Sequence, residues 1–310
     1  MFSALSVLAL QGSITVLSSY AINFLTDSFV RDLTATGGIL VLAIAANLPG
    51  FERIRAGKST TISASGRFVQ HLPYIVNWLI GGAYCGGSCM DVITADRMSR
   101  IEDKAEALGI SRLLMMENAG GAVAHFVVER FSPLSNKRVV IICGTGNNGG
   151  DGLVCLRHLA GLPLRMEAFL LGTREQVKTI EARTNLEIIL HMKSIRFYDV
   201  DTEDFSGRIS DSVGKADVIV DAIFGTGVKS GIREPQASVI EMMNASKAFK
   251  VAVDIPSGLD PNTGKVLGQA ARANATITFH KMKKGLLGNQ DFTGELVVVP
   301  IGVPPDAELG

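Results

Sequence analysis

From residue 91 onward, short uninterrupted apolar runs alternate with segments in which apolar residues return every three or four positions. The runs are RVVIIC at 138–143, LRMEAFLL at 164–171, SIRFYDV at 194–200, DVIVDAIF at 217–224, FKVAVDI at 249–255, ATITF at 275–279 and ELVVVP at 295–300. Runs without polar alternation predict strands covered on both faces, and helix-length spacers between them predict parallel crossovers. The expected fold is therefore α/β, a Rossmann-like three-layer sandwich with a mostly parallel sheet. In such a sheet, ligands bind beyond the carboxyl ends of the strands.

Two helices precede the first run. Met98, Ile101, Ala105 and Leu108 share one helical face, with Thr94 placed as N-cap, Asp96 in the first turn and Gly109 just past the end. The stretch from Ser111 to Phe131 predicts a second helix, loosened by Gly120 and Gly121.

The first ninety residues follow a different pattern. Phe2 to Thr26 and Leu33 to Phe51 carry no charge, and a helix needs about 20 apolar residues to cross hydrocarbon. A third run, Phe68 to Met90, is diluted by Gln70, His71, Pro73 and Asn77. The loop at 52–67 sets Arg53, Arg55, Lys58 and Arg67 against Glu52, which places it on the cytoplasmic side of a two-span hairpin. No basic region precedes the first run, which disfavours a cleaved signal peptide. A buried helical pair is the competing reading. The segment LTATGGILVLAIAANLPGFERIR also resembles the end of an uncharacterised prokaryotic multi-span membrane family. Because DVITADRMSRIEDKAEAL after Met90 reads as a fresh domain start, residues 1–89 are expected to be a hydrophobic helical extension. That extension is either a membrane hairpin or an overlong gene start, and residues 90–310 are the catalytic domain.

Charge supports the division. Thirty basic and thirty acidic residues give a net charge of zero, with a mean hydropathy of +0.28. Residues 1–90 hold five basic and three acidic residues, so the remaining chain carries 25 and 27, a balance suited to a cytoplasmic enzyme. No basic excess points to nucleic acid. Cys85, Cys89, Cys143 and Cys155 have neither zinc-site spacing nor the density of a disulfide scaffold. Cys143 and Cys155 read as core. His125, His158 and His191 read as packed or solvated.

Three strand ends carry candidate chemistry. The first strand runs into GTGNNGGDGL, where Gly144, Gly146 and Gly149 satisfy G-x-G-x-x-G. The next strand ends in LLGTRE without the carboxylate that grips a ribose in nicotinamide dehydrogenases, which weakens that reading. Asn147, Asn148, Gly149, Gly150 and Asp151 instead place two amides and a carboxylate at a helix N-terminus, where backbone N–H groups suit a phosphate. Asp221 lies within an apolar strand and needs a cation or hydrogen-bond donors. The loop after it, Gly225, Thr226, Gly227, Val228, Lys229, Ser230 and Gly231, offers a second backbone cradle for a pyrophosphate or ribose. Asp254 closes another apolar strand in VDIPSGLDPNTG. Asn148, Asp221 and Ser257 together present oxygen ligands suited to a hard cation.

The blocks LMMENAGGA, GTGNNGGDGL, VDAIFGTGVKSGIREP, VDIPSGLDPNTG and HKMKKGLL resemble the YjeF N-terminal family, the NAD(P)H-hydrate epimerases, from Met90 to about Val303. The resemblance implies interconversion of the R and S epimers of hydrated NADH and NADPH, a metabolite repair that supplies a dehydratase specific for the S form. It implies that Asn147 to Asp151, Gly225 to Gly231 and Asp254 bind the hydrated nucleotide. It further implies a potassium ion at Asn148, Asp221 and Ser257, a homodimer, and a separate ATP- or ADP-dependent dehydratase, for which the chain leaves no room. Inverting the ring carbon requires a proton for its hydroxyl, and Asp254 is the expected shuttle, with Asp151 second. Lys281, Lys283 and Lys284 read as a solvated basic turn that could reach phosphates. The alternatives are a catalytically inactive nucleotide-binding or scaffold module of the same fold, tethered or not to a membrane, and an ordinary dehydrogenase.

Overall fold

The computed structural model describes residues 92–228 and 231–309. The expected membrane hairpin, the Met90 boundary, Lys229 and Ser230 lie outside them. Among the described residues, no helix is long and apolar enough to cross a membrane.

The described residues open with β1 (Val92–Ile93), α1 (Ala95–Ala107) and α2 (Arg112–Phe131). Thr94 caps α1 by accepting from Arg97 N at 3.3 Å, Asp96 sits in the first turn, and Gly109 follows in left-handed backbone at φ 95°. Leu108 departs from its expected place. It is the C-cap rather than a core position and is 56 % exposed. Gly120 also differs from expectation, since it does not loosen α2. A Cβ there would strike Asp151 O and Val154, so the glycine is the point of closest approach between α2 and α3.

The βα units follow in order: β2 (Arg138–Cys143), α3 (Asn147–Leu159), β3 (Arg165–Leu170), α4 (Ile180–His191), β4 (Arg196–Asp199), α5 (Phe205–Lys215), β5 (Val218–Ala222), α6 (Gln236–Ala245), β6 (Phe249–Val253), β7 (Ala275–Phe279), β8 (Met282–Lys283), α7 (Gln290–Thr293) and β9 (Glu295–Val299). Seven strands form one sheet in the order β4-β3-β2-β5-β6-β7-β9, and every neighbouring pair is parallel. β1 and β8 make a separate two-stranded parallel ladder.

The uninterrupted apolar runs are explained by burial on both faces. Val139, Ile141 and Cys143 of β2 pack with α1, α2, α3 and α4, while Val140 and Ile142 pack with α5 and α6. Each fully buried Ile, Leu or Val contributes about 1.5–3 kcal/mol of transfer free energy, which favours apolar residues on both faces of β2. The strand order reverses between β2 and β5. There the crossovers depart in opposite directions and open a crevice at the strand ends.

Candidate active site

The three strand ends singled out in the sequence meet at this crevice. Gly144 N donates to Ala222 O at 2.9 Å, joining the tips of β2 and β5. A Cβ on Gly149 would collide with the carbonyl oxygen of Gly144, and one on Gly144 would collide with that of Ile223. Gly146, the middle glycine of the motif, has nothing within 4 Å of its missing Cβ. Two of the three motif glycines are therefore demanded by backbone packing around the N-terminus of α3.

At the end of β5, Asp221 is 1 % exposed. Its Oδ1 accepts from Ser257 Oγ at 2.5 Å and Ile223 N at 3.3 Å, and its Oδ2 accepts from Ser257 N at 2.8 Å. Ser257 Oγ in turn accepts from Phe224 N at 2.9 Å. The need for donors is thus met by neutral groups alone. Burial pushes the Asp221 carboxyl up to about 6, against the opposing pull of these hydrogen bonds.

Asn148, 8 % exposed in the first turn of α3, lies over Gly225, whose added Cβ would sit 2.9 Å from Asn148 Oδ1. Among the described residues neither atom of this amide has a hydrogen-bond partner, and Nδ2 is fully buried. Buried polar atoms without partners are uncommon in folded proteins and mark places where a ligand completes the site. An unpartnered amide oxygen, a carboxylate held only by neutral donors and a buried hydroxyl are the donor chemistry that a monovalent or other hard cation takes.

Asp254 follows β6 in left-handed backbone, with φ 65°, a conformation that Asp adopts more readily than most residues but still at a cost. Its own N–H bonds Ile277 O at 2.8 Å, and its side chain turns into a buried polar cluster. Oδ1 accepts from the Lys283 ammonium, from Thr278 Oγ1 at 3.2 Å and from Phe279 N at 3.2 Å.

Asp151 of α3 and Glu102 of α1 face the same cluster. Burial raises the Asp151 carboxyl well above the usual carboxylate range, helped by the charges of Asp254 and Glu102 and opposed by Lys283. Glu102 is raised by burial and by Asp254, against Arg112, 3.3 Å away, and Lys283.

Two members of this cluster escaped the sequence reading. Lys283 is 1 % exposed, not part of a solvated turn, and the expectation for it fails because its ammonium has a buried counter-charge; Lys284 beside it is exposed, as expected. The signal was its position between residues that prove buried, Phe279, Met282 and Leu286, in FHKMKKGLL. Glu102 carried no signal, because it arrives from α1, far away in sequence.

Residues placed away from the chemistry agree with expectation. His158 pairs with Glu117 at 2.7 Å and His125 with Glu129 at 3.1 Å, both on the surface, and His191 Nδ1 lies 2.7 Å from Glu187 O. Cys143 and Cys155 are buried, and burial pushes the Cys143 thiol up to about 12 and that of Cys155 higher still.

Comparison with known proteins agrees with this geometry. Residues 112–285 match the family model described as YjeF-related protein N-terminus. Residues 1–59 match one described as protein of unknown function, DUF554. The chain is 44% identical over 218 residues to the NAD(P)H-hydrate epimerase of Nitrosopumilus maritimus, covering 70% of this chain and 98% of that protein. It is 46% identical over 223 residues to the bifunctional NAD(P)H-hydrate repair enzyme Nnr of Pyrobaculum aerophilum, of which it spans 43%. The crystal structure of yeast ynu0 superposes with a TM-score of 0.57 at 26% identity, covering 64% of this chain and 83% of that one. With its family match spanning all three strand ends and a relative matched over nearly its whole length, the chain belongs to the YjeF N-terminal family, that of the NAD(P)H-hydrate epimerases.

Proposed function

We propose that this chain interconverts the R and S epimers of hydrated NADH and NADPH at the ends of β2, β5 and β6. The observation that carries the reading is Asp254. It is a carboxylate held in left-handed backbone at a strand tip, bound on one oxygen and close to Asp151, whose carboxyl burial raises well above the usual carboxylate range.

Inversion at the hydroxyl-bearing ring carbon breaks a C–O bond. The electron pair leaves with oxygen, which takes a proton and departs as water. The ring becomes a planar cation, and water returns to the opposite face and gives up a proton. Asp254 exchanges that proton with the hydroxyl, and Asp151, whose carboxyl burial raises, is the proton store beside it. Asn147 to Asp151 and the loop from Gly225 to Gly231 bind the nucleotide, with α3 directing its N-terminal N–H groups toward phosphate. Asn148, Asp221 and Ser257 would hold a potassium ion, which when bound supplies the positive charge that their donor set lacks. These catalytic and binding residues being present, the chain is an enzyme rather than an inactive module of the fold.

We assign dehydration of the S epimer to a different catalytic unit, as in the bifunctional repair enzyme of Pyrobaculum aerophilum, of which this chain matches 43%. A coupled assay tests this division. With an S-specific dehydratase in excess, an equal mixture of the R and S epimers of hydrated NADH should be recovered completely when the chain is added and only by half, beyond slow spontaneous epimerisation, when it is not.

A further inference from the structure

Lys283 and Asp221, both 1 % exposed, are the most deeply buried charged residues among the described ones. Taking an ammonium out of water costs several kcal/mol even when it is paired, and an apolar residue of similar length would serve a core better. The surrounding structure is nonetheless arranged to hold it. β8 is pinned by β1, with Ile93 opposite Lys283. His280, in left-handed backbone at φ 63°, turns the chain between β7 and β8. Met282 and Leu286 pack with Ile255 and Leu259, so Lys283 and the turn after Asp254 share one small core.

The ammonium donates to Asp254 Oδ1 and to Phe279 O, the latter at 2.7 Å. Thr278 and Phe279 N–H also bond Oδ1, and among the described residues no hydrogen bond falls on Oδ2. The other charged groups facing this pair are Asp151 from α3 and Glu102 from α1, the latter bound to Arg112. On the far side of Lys283 stand His280 and Lys281, both paired with Glu308.

We propose that Lys283 is a positioning residue for the epimerisation: clamped on Asp254 Oδ1, it leaves Oδ2 as the oxygen that exchanges the proton, and it supplies the buried positive charge that balances three converging carboxyl groups. This rests on the reading of Asp254 as proton shuttle.

The test is steady-state kinetics of full-length Lys283→Met and Lys283→Gln on the pure R epimer of hydrated NADH across pH, with nucleotide binding measured separately. The expected result for Lys283→Met is a kcat about 100-fold lower with KM changed by less than about threefold. The alkaline limb of kcat/KM should move to higher pH, because Asp151, the proton store, loses the ammonium that favours its ionised form. Should Lys283→Met fail to fold, Thr278→Val removes another Oδ1 donor without altering charge, and is expected to lower kcat by about fivefold with the limb unmoved. A folded Lys283→Met enzyme with wild-type kcat or an unmoved limb, or a Thr278→Val enzyme with unchanged kcat, would overturn the inference. An inactive wild-type chain would instead overturn the epimerase reading beneath it.

Discussion

Asp221 and Asp254 end adjacent parallel strands, and both are buried, yet they are satisfied in different ways. Asp221 has a hydroxyl and two backbone N–H groups and no positive charge. Asp254 has an ammonium built into the fold. Neutral donors stabilise a carboxylate but leave its charge uncompensated, which is why the Asp221 carboxyl is pushed up to about 6. A carboxylate in that state gains from an added cation, whereas one that already has its counter-ion is available for proton transfer. On the proposed reading, this difference separates a cation site from a proton-transfer group within one crevice.

The largest expected effect removes the carboxylate proposed as the proton shuttle. Asp254→Asn should slow epimerisation by about 1,000-fold or more, to near the spontaneous rate, while calorimetry still detects nucleotide binding. Asp221→Asn should act differently, weakening nucleotide binding and abolishing any response to potassium.

The same contrast appears in stability. In potassium-free buffer the folded-state value of about 6 for Asp221 exceeds its ordinary 3.8. Between those values the folded chain binds more protons than the unfolded one, so stability declines as pH rises, by up to about 3 kcal/mol once pH passes 6. Thermal melting from pH 4 to 7 should show this decline. Potassium at a hundred times its dissociation constant should restore about 2.7 kcal/mol at pH 7, less at pH 5, and nothing in Asp221→Asn.

The glycines of the turn between β2 and α3 sharpen the comparison on a smaller scale. Gly149→Ala drives a methyl group into the Gly144 carbonyl and should cost about 2 kcal/mol or more in urea unfolding. Gly146→Ala meets open space and should stay within about 0.5 kcal/mol of wild type.

Much of this was legible in the sequence, and the reason is periodicity. Seven apolar runs correspond to seven strands; the inner ones are covered on both faces, the edge strands β4 and β9 only in part, and RVVIIC and ATITF match β2 and β7 residue for residue. Polar residues breaking those runs at their ends, Asn148, Asp221, Asp254 and Ser257, stood out for the same reason. The β1–β8 ladder was not legible, since two residues are too short to show a period. Glu102 and Lys283 were missed because their partners lie on other elements, and a lysine among lysines reads as solvated until the fold buries it. Leu108 satisfied a helical face in sequence but fell one residue past the end of α1.

The smallest effect concerns the thiols. Buried and with raised pKa values, Cys143 and Cys155 should resist alkylation in the native chain, which peptide mass analysis would show as unmodified sites and unchanged activity.

The most direct measurement is chromatographic resolution of the two epimers over time, starting from pure R-hydrated NADH, with wild-type chain, with Asp254→Asn and without protein. The predicted result is rapid conversion to an R and S mixture with the wild type only, the other two samples sharing the slow spontaneous rate. Equal rates in all three, or full acceleration by Asp254→Asn, would contradict the account.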